Sequence, residues 1–162
     1  RVFSDIDARF AFFNKAALDT LQSLFWIPDV IICNDWQTSL VPTLLKEKFI
    51  KEEFYSNIKS VYVIHSINNY RKFSNLVYNM LDIKPYQNGK QIDNHIQAME
   101  NADLTIAINY ESEKLMDKLQ SQKDLLDKFE STNHIIIDIP DKTNKEVWDN
   151  IANTIEAACR NL

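Results

Sequence analysis

The fold is decided by the stretch Pro28-Asp-Val-Ile-Ile-Cys-Asn-Asp-Trp-Gln-Thr-Ser-Leu-Val-Pro42. Its first half, residues 29–33, is short, β-branched and apolar on both faces, as a strand buried in a parallel sheet reads. Its second half opens a helical pattern over residues 38–49, with Asp35 or Thr38 as candidate N-caps and Pro42 tolerable in the first turn. Upstream, Phe10, Phe13, Ala17, Leu21 and Leu24 recur at spacings of three and four. That period predicts an amphipathic helix over residues 7–24 with this stripe facing a sheet.

Downstream the alternation repeats. Residues 60–65, 103–108 and 134–139 read as three more strands with helical segments between them. A last helix, residues 145–161, carries Trp148, Ile151, Ala152, Ile155 and Cys159 on the face expected to cap the sheet. Strands alternating with helices imply right-handed crossovers. The expected fold class is α/β, a Rossmann-like three-layer α/β/α domain with a mostly parallel sheet, formed as a single domain by residues 1–162.

Composition narrows the partners. Hydrophobic residues make up 45% and charged residues 25%, ordinary for a globular chain, and the net charge of −5 with no Lys/Arg stripe argues against nucleic acid. No apolar run is long enough to span a membrane, and no export signal opens the chain. Cys33 and Cys159, each in an apolar stretch, are expected to be free thiols in a reducing compartment, so the expected location is cytoplasmic. The three histidines and two cysteines lack ligand spacing, so no metal is expected. Gly89 is the single glycine, against an average usage of about 7%, which excludes a glycine-rich phosphate loop.

In an open parallel sheet, ligands bind beyond the carboxyl ends of the strands. The residues so placed are Asn34, Asp35, Trp36 and Gln37 after the first strand, His65, Ser66, Asn68 and Asn69 after the second, and Asn109 and Tyr110 after the third. An acid, an imidazole and several amides at adjoining strand ends suit a polyol, because sugars are read by carboxylates and amides with aromatic packing. Asp35 reads equally as a helix cap, and His65 as a structural histidine. His95 and His134 read as structural, Trp36 and Trp148 as core aromatics. No G-x-S-x-G elbow supports a Ser-His-Asp triad.

Three segments carry a resemblance: Arg9-Phe-Ala-Phe-Phe-Asn-Lys-Ala-Ala-Leu-Asp19, the stretch from Pro28 to Pro42, and Ser60-Val-Tyr-Val-Ile-His65. In order and spacing they resemble the N-terminal catalytic domain of bacterial glycogen and plant starch synthases. The likeness runs from Phe3 to Met116, including Asn88-Gly89-Lys90 and Glu100-Asn-Ala-Asp-Leu-Thr-Ile-Ala-Ile108. It implies one half of a two-Rossmann-domain glycosyltransferase that moves glucose from ADP-glucose to an α-1,4-glucan with retention, without a cofactor or metal. It also implies His65 and Asp35 as the catalytic pair. Asn34, Trp36, Gln37, Ser66, Asn68 and Tyr70 would bind substrate.

The departures are specific. The family's lysine-and-glycine-rich donor loop and its C-terminal domain have no counterpart here. Ser66 replaces an asparagine after the cleft histidine, and Tyr70-Arg71-Lys72 stands one residue late for a Tyr-Gln-Gly turn. Asn109-Tyr110 replaces a Ser-Pro. Past Met116, residues 144–149 resemble a worn interdomain linker, or residues 148–162 the terminal helix that crosses back onto this domain. The second is favoured.

The Arg1 start favours a transferase piece that is inactive as this isolated chain, which is the expectation, while the missing glycine loop favours a stand-alone descendant. The alternatives are a stand-alone, non-catalytic glucan- or protein-binding descendant and a different small α/β protein. An open reading frame of several hundred residues with a lysine-glycine-glycine motif upstream of Arg1 is the expected finding if the enzyme reading holds; a frame ending at Leu162 without that motif would contradict it.

Overall fold

The computed structural model describes residues 5–162; Arg1 and Phe3, on which the chain start and the beginning of the resemblance fall, lie outside the described residues. Four parallel strands form the central sheet: β1 (Val30–Asn34), β2 (Lys59–Ile64), β5 (Leu104–Tyr110) and β6 (His134–Ile139), in the order β1-β2-β5-β6. These are the four strands expected. Between β2 and β5 lies a small antiparallel pair, β3 (Lys72–Ser74) with β4 (Gln91–Asp93), which sequence reading missed. Three-residue strands are too short to show an alternation.

The helices are α1 (Ile6–Ser23), α2 (Leu40–Glu47), α3 (Asn75–Leu81), α4 (Asn94–Asn101), α5 (Leu115–Gln120), α6 (Lys123–Ser131) and α7 (Lys145–Arg160). Several starts are capped by side chains: Ser74 accepts from the Leu76 amide, Asp93 from His95 and Asn144 from Val147. Pro42 falls in the first turn of α2, where its missing N–H costs nothing.

Helix α1 buries a face rotated from the one its apolar spacing predicts, sharing only Leu21 and the partly buried Phe10 with it. Ala11, Asn14, Leu18 and Leu21 are buried, whereas Phe13 is 50% exposed and Leu24 lies past the helix at 63%. Asn14 causes the rotation. Its Nδ2 donates to the carbonyls of Phe10 and Gln37 at 2.6 and 2.7 Å, and its Oδ1 accepts from the Leu40 amide at 3.1 Å. A polar residue thus fastens α1 to the start of α2, and its burial costs little because both ends of the amide are satisfied.

The two faces of the sheet are covered unequally. On one, Cys33, Tyr62, Ile64 and Ala107 join a large core with Leu18, Leu44, Tyr55, Phe73, Met99 and Phe129. On the other, Val61, Val63, Ile106, Ile108, Ile137 and Ile139 meet Ile151, Ile155, Ala158 and Cys159 of α7 and Leu162 just past it, all only partly buried. The expected inward face of this helix is therefore corrected: Trp148 is 46% exposed rather than a core aromatic, and Ala152 points to solvent. Edge strand β1 is likewise not apolar-buried on both faces, because Ile32 stands 47% exposed beyond the reach of α7. Both cysteines are free, and burial pushes the Cys33 thiol up to about 12. Among the described residues, no helix is long and apolar enough to cross a membrane.

The observed face of α1 makes a direct prediction. Leu18→Ala should cost about 2–5 kcal/mol of unfolding free energy, and Phe13→Ala about 0.5 kcal/mol or less. Chemical denaturation of the two variants checks it.

Candidate functional site

Strands β1 and β2 end level. Asn34 pairs with Val63 in the parallel register, and the Asp35 amide donates to the Val63 carbonyl at 2.7 Å. This sets Asn34 and Asp35 beside His65 and Ser66, the first residues past β2.

Asp35 turns the chain with φ 59° and ψ −173°, a region that glycine favours and that costs other residues roughly 1–3 kcal/mol. Its partners hold it there. The carboxylate accepts from the Ser66 hydroxyl at 2.6 Å and the Ser66 amide at 3.3 Å, while its carbonyl accepts from the Thr38 amide at 3.1 Å. No helix amide reaches the carboxylate, so the capping alternative for Asp35 is excluded. Thr38 is not the cap either; it lies inside the turn Trp36–Thr38, and its hydroxyl donates to the Asn34 carbonyl at 2.9 Å.

His65 is half-buried, with Nε2 3.0 Å from the Asn34 side-chain oxygen. An amide oxygen only accepts, so Nε2 carries the hydrogen and Nδ1 of the neutral ring keeps its lone pair. Burial holds the pKa of His65 below its ordinary value, against the pull of Asp35.

Asn68 donates from Nδ2 to the Ser66 hydroxyl at 2.9 Å and accepts from the Tyr70 amide at 2.9 Å. Tyr70, 47% exposed, lies over Trp36 with ring centroids 6.0 Å apart. Trp36 itself is only 7% exposed and is edge-packed by Phe10 and Phe73, so it supports Tyr70 from beneath instead of presenting its own face. Asn34, Asp35, His65, Ser66 and Asn68 thus form one rim. Among the described residues, the Gln37 side chain makes no hydrogen bond to this rim, and its carbonyl accepts from Asn14. Asn109 also turns away, bonding Asp138 and the Met116 amide. His134 is occupied at its strand start, where Nδ1 donates to the Thr132 carbonyl at 2.9 Å.

Two buried groups that sequence reading left aside stand behind the rim. His95 is fully buried, with Nε2 2.8 Å from the Ser66 carbonyl and Nδ1 2.6 Å from the Tyr62 hydroxyl. Arg71, also buried, pairs through Nε with Asp93 at 2.7 Å and donates from Nη1 to the Asn68 carbonyl at 2.8 Å. Each reaches its rim partner from another part of the chain or through a carbonyl, so no local motif marks either one.

Residues 1–130 match the family described as the starch synthase catalytic domain. The chain belongs to that family. It is 46% identical over 88 residues to the glycogen synthase of Clostridium perfringens, an alignment covering 52% of this chain and 18% of that protein. With the glycogen synthase of Pelodictyon phaeoclathratiforme, identity is 35% over 119 residues, covering 68% and 24%. The fold is similar to the catalytic domain of starch synthase IV from Arabidopsis thaliana bound to ADP and acarbose, with a TM-score of 0.59, 18% identity, and coverage of 91% of this chain and 32% of that one. The chain thus spans less than a third of the length of each of these relatives.

Burial keeps both His65 and His95 deprotonated more readily than in the unfolded chain. Below the unfolded value of about 6.5 the unfolded state therefore holds more protons, and stability falls as pH falls. The urea midpoint should be lower at about pH 5.5 than at about pH 7.5; an equal or higher midpoint at the acid pH would contradict it.

Proposed function

We propose that this member of the starch synthase catalytic domain family provides one wall of a cleft in which glucose passes from ADP-glucose to an α-1,4-glucan. The observation that carries the reading is the juxtaposition, at the carboxyl ends of β1 and β2, of an oriented carboxylate and an imidazole whose free nitrogen is an acceptor. Such a pair reads hydroxyl groups from both sides of a sugar. His65 contacts the transferred glucose, its Nδ1 lone pair accepting a hydroxyl hydrogen, and its fixed dipole favours positive charge developing at the anomeric carbon. Asp35, held by Ser66, accepts from hydroxyls of the donor or acceptor sugar. Asn34, Ser66 and Asn68 orient these two groups, and Tyr70, supported by Trp36, offers the aromatic surface on which a pyranose packs.

In this reading the rest of the nucleotide lies against a second, C-terminal domain, and the transfer needs no metal or other cofactor. The short coverage of the relatives supports a shared cleft, as does the solved Arabidopsis neighbour, which holds ADP and acarbose. The two free thiols suit the cytoplasm. No observation favours a separate, non-catalytic role.

Asp35→Ala and His65→Ala should each weaken maltooligosaccharide binding by about tenfold, the equivalent of one hydrogen bond to a charged or dipolar group. Calorimetric titration, with circular dichroism to confirm folding, measures this; unchanged affinity in both variants would remove them from the site. The isolated chain should incorporate no glucose from labelled ADP-glucose into glycogen. Robust incorporation would overturn the two-domain reading.

A further inference from the structure

Ser66 is held from both sides. Its amide and hydroxyl donate to Asp35, and its carbonyl accepts from His95. A carbonyl oxygen only accepts, so Nε2 of His95 carries the hydrogen. In the neutral ring Nδ1 is then an acceptor, and the Tyr62 hydroxyl must donate to it. The hydrogen bonds therefore run in one direction, from the Tyr62 hydroxyl through His95 and Ser66 to the Asp35 carboxylate. Tyr62 and His95 are both fully buried, so no water is at hand to replace a lost partner.

A proton on His95 reverses the first of these bonds. Nδ1–H would have to donate to the Tyr62 oxygen, and the Tyr62 hydrogen would lose its acceptor in a buried setting. The charged and titratable groups facing the ring come from four elements: Asp35 after β1, Tyr62 on β2, Arg71 on the following loop and Asp93 ahead of α4, with Cys33 and Tyr78 beyond Tyr62. Burial and Arg71 disfavour the imidazolium, while Asp93 and Asp35 attract it; burial is the largest influence and keeps the ring neutral. Nε2 lies 3.9 Å from Asp35 Oδ1, the same oxygen that accepts the longer Ser66 bond at 3.3 Å. A charged ring competes for that oxygen.

We propose that His95 is a pH-sensitive positioning residue of the rim: neutral, it fixes the Ser66 carbonyl and thereby Asp35, and protonated, it draws the carboxylate from the Ser66 amide and loosens saccharide binding. The positioning rests on the geometry alone. Its effect on saccharide rests on the function proposed above, and the measurements separate the two.

Nuclear magnetic resonance of the free chain tests the first part. At neutral pH the His95 ring should carry its hydrogen on Nε2, and on acidification the Ser66 amide and the Asp35 carboxyl carbon should shift with the midpoint of the His95 ring. A hydrogen on Nδ1, a Ser66 amide that ignores the titration, or a ring that stays neutral until the chain unfolds would overturn the proposal.

Variants test the second part. His95→Gln can donate to Ser66 and accept from Tyr62 without titrating, so it should keep neutral-pH maltooligosaccharide affinity within roughly threefold and lose part of the acid-side decline. His95→Leu should lose about tenfold at neutral pH. An acid decline in His95→Gln equal to that of the unmodified chain would assign the pH dependence to His65 and overturn the role of His95. Absence of any saccharide binding by the unmodified chain would instead sink the function proposed above and leave the Ser66 titration to decide this one.

Discussion

The parallel register of β1 on β2 is the constraint from which the rim follows. Because Asn34 pairs with Val63 and the Asp35 amide takes the Val63 carbonyl, the two strands run out at the same height. Had the strands been offset by one residue, their side chains would have exchanged faces, and His65 would no longer stand beside Asn34. The register is secured from below by the apolar alternation of β2, in which Tyr62 and Ile64 enter one core and Val61 and Val63 the other. A hydrophobic pattern therefore does the positioning for a polar site, an economy available to any open sheet whose loops gather at one end.

The rim itself is bought with local strain and with polar groups placed in the interior. Asp35 sits in a backbone region that glycine favours, in a chain with one glycine, and that conformation persists only because Ser66 and Thr38 occupy its polar atoms. Behind it, the Arg71–Asp93 pair and His95 are removed from water. Groups of this kind add little net stability, since desolvation offsets their mutual attraction. They act instead as connectors. Arg71 ties the loop after β2 to β4 and to Gln122 ahead of α6, so the small antiparallel pair, anchored in the core by Phe73 and Ile92, is the mount on which the loop is fixed.

Sequence reading succeeded where burial is dictated by regular alternation and erred where a polar residue or an edge intervened. The four parallel strands are visible because their runs are bounded and β-branched. The face of α1 was misjudged because spacing counts apolar residues, and the buried member at the centre of that face is Asn14, whose value lies in the carbonyl of Gln37 and the amide of Leu40. Trp148 and Ile32 were assigned to the interior by their chemistry. They are half-exposed because α7 is the one described helix on its side of the sheet and cannot cover the edge strand.

For the site, strand-end position marked Asn34, Asp35, His65, Ser66 and Asn68 as candidates together with Trp36, Gln37, Asn69, Asn109 and Tyr110, and left open whether Asp35 was a cap and His65 structural. The Asp-Trp-Gln-Thr segment and the strand ending in His also carried the family, because those short runs depend on identity and spacing alone. What the tertiary structure decided is which groups meet across sequence. It turned Asp35 toward Ser66 instead of a helix amide, put Trp36 beneath Tyr70, brought His95 from α4 against the Ser66 carbonyl, and tied Arg71, which holds the Asn68 carbonyl of its own loop, to the distant Asp93 and Gln122. The contacts of His95 and Arg71 with Ser66 and Asn68 are made to backbone oxygens, which every residue possesses, and so they leave no mark in the sequence.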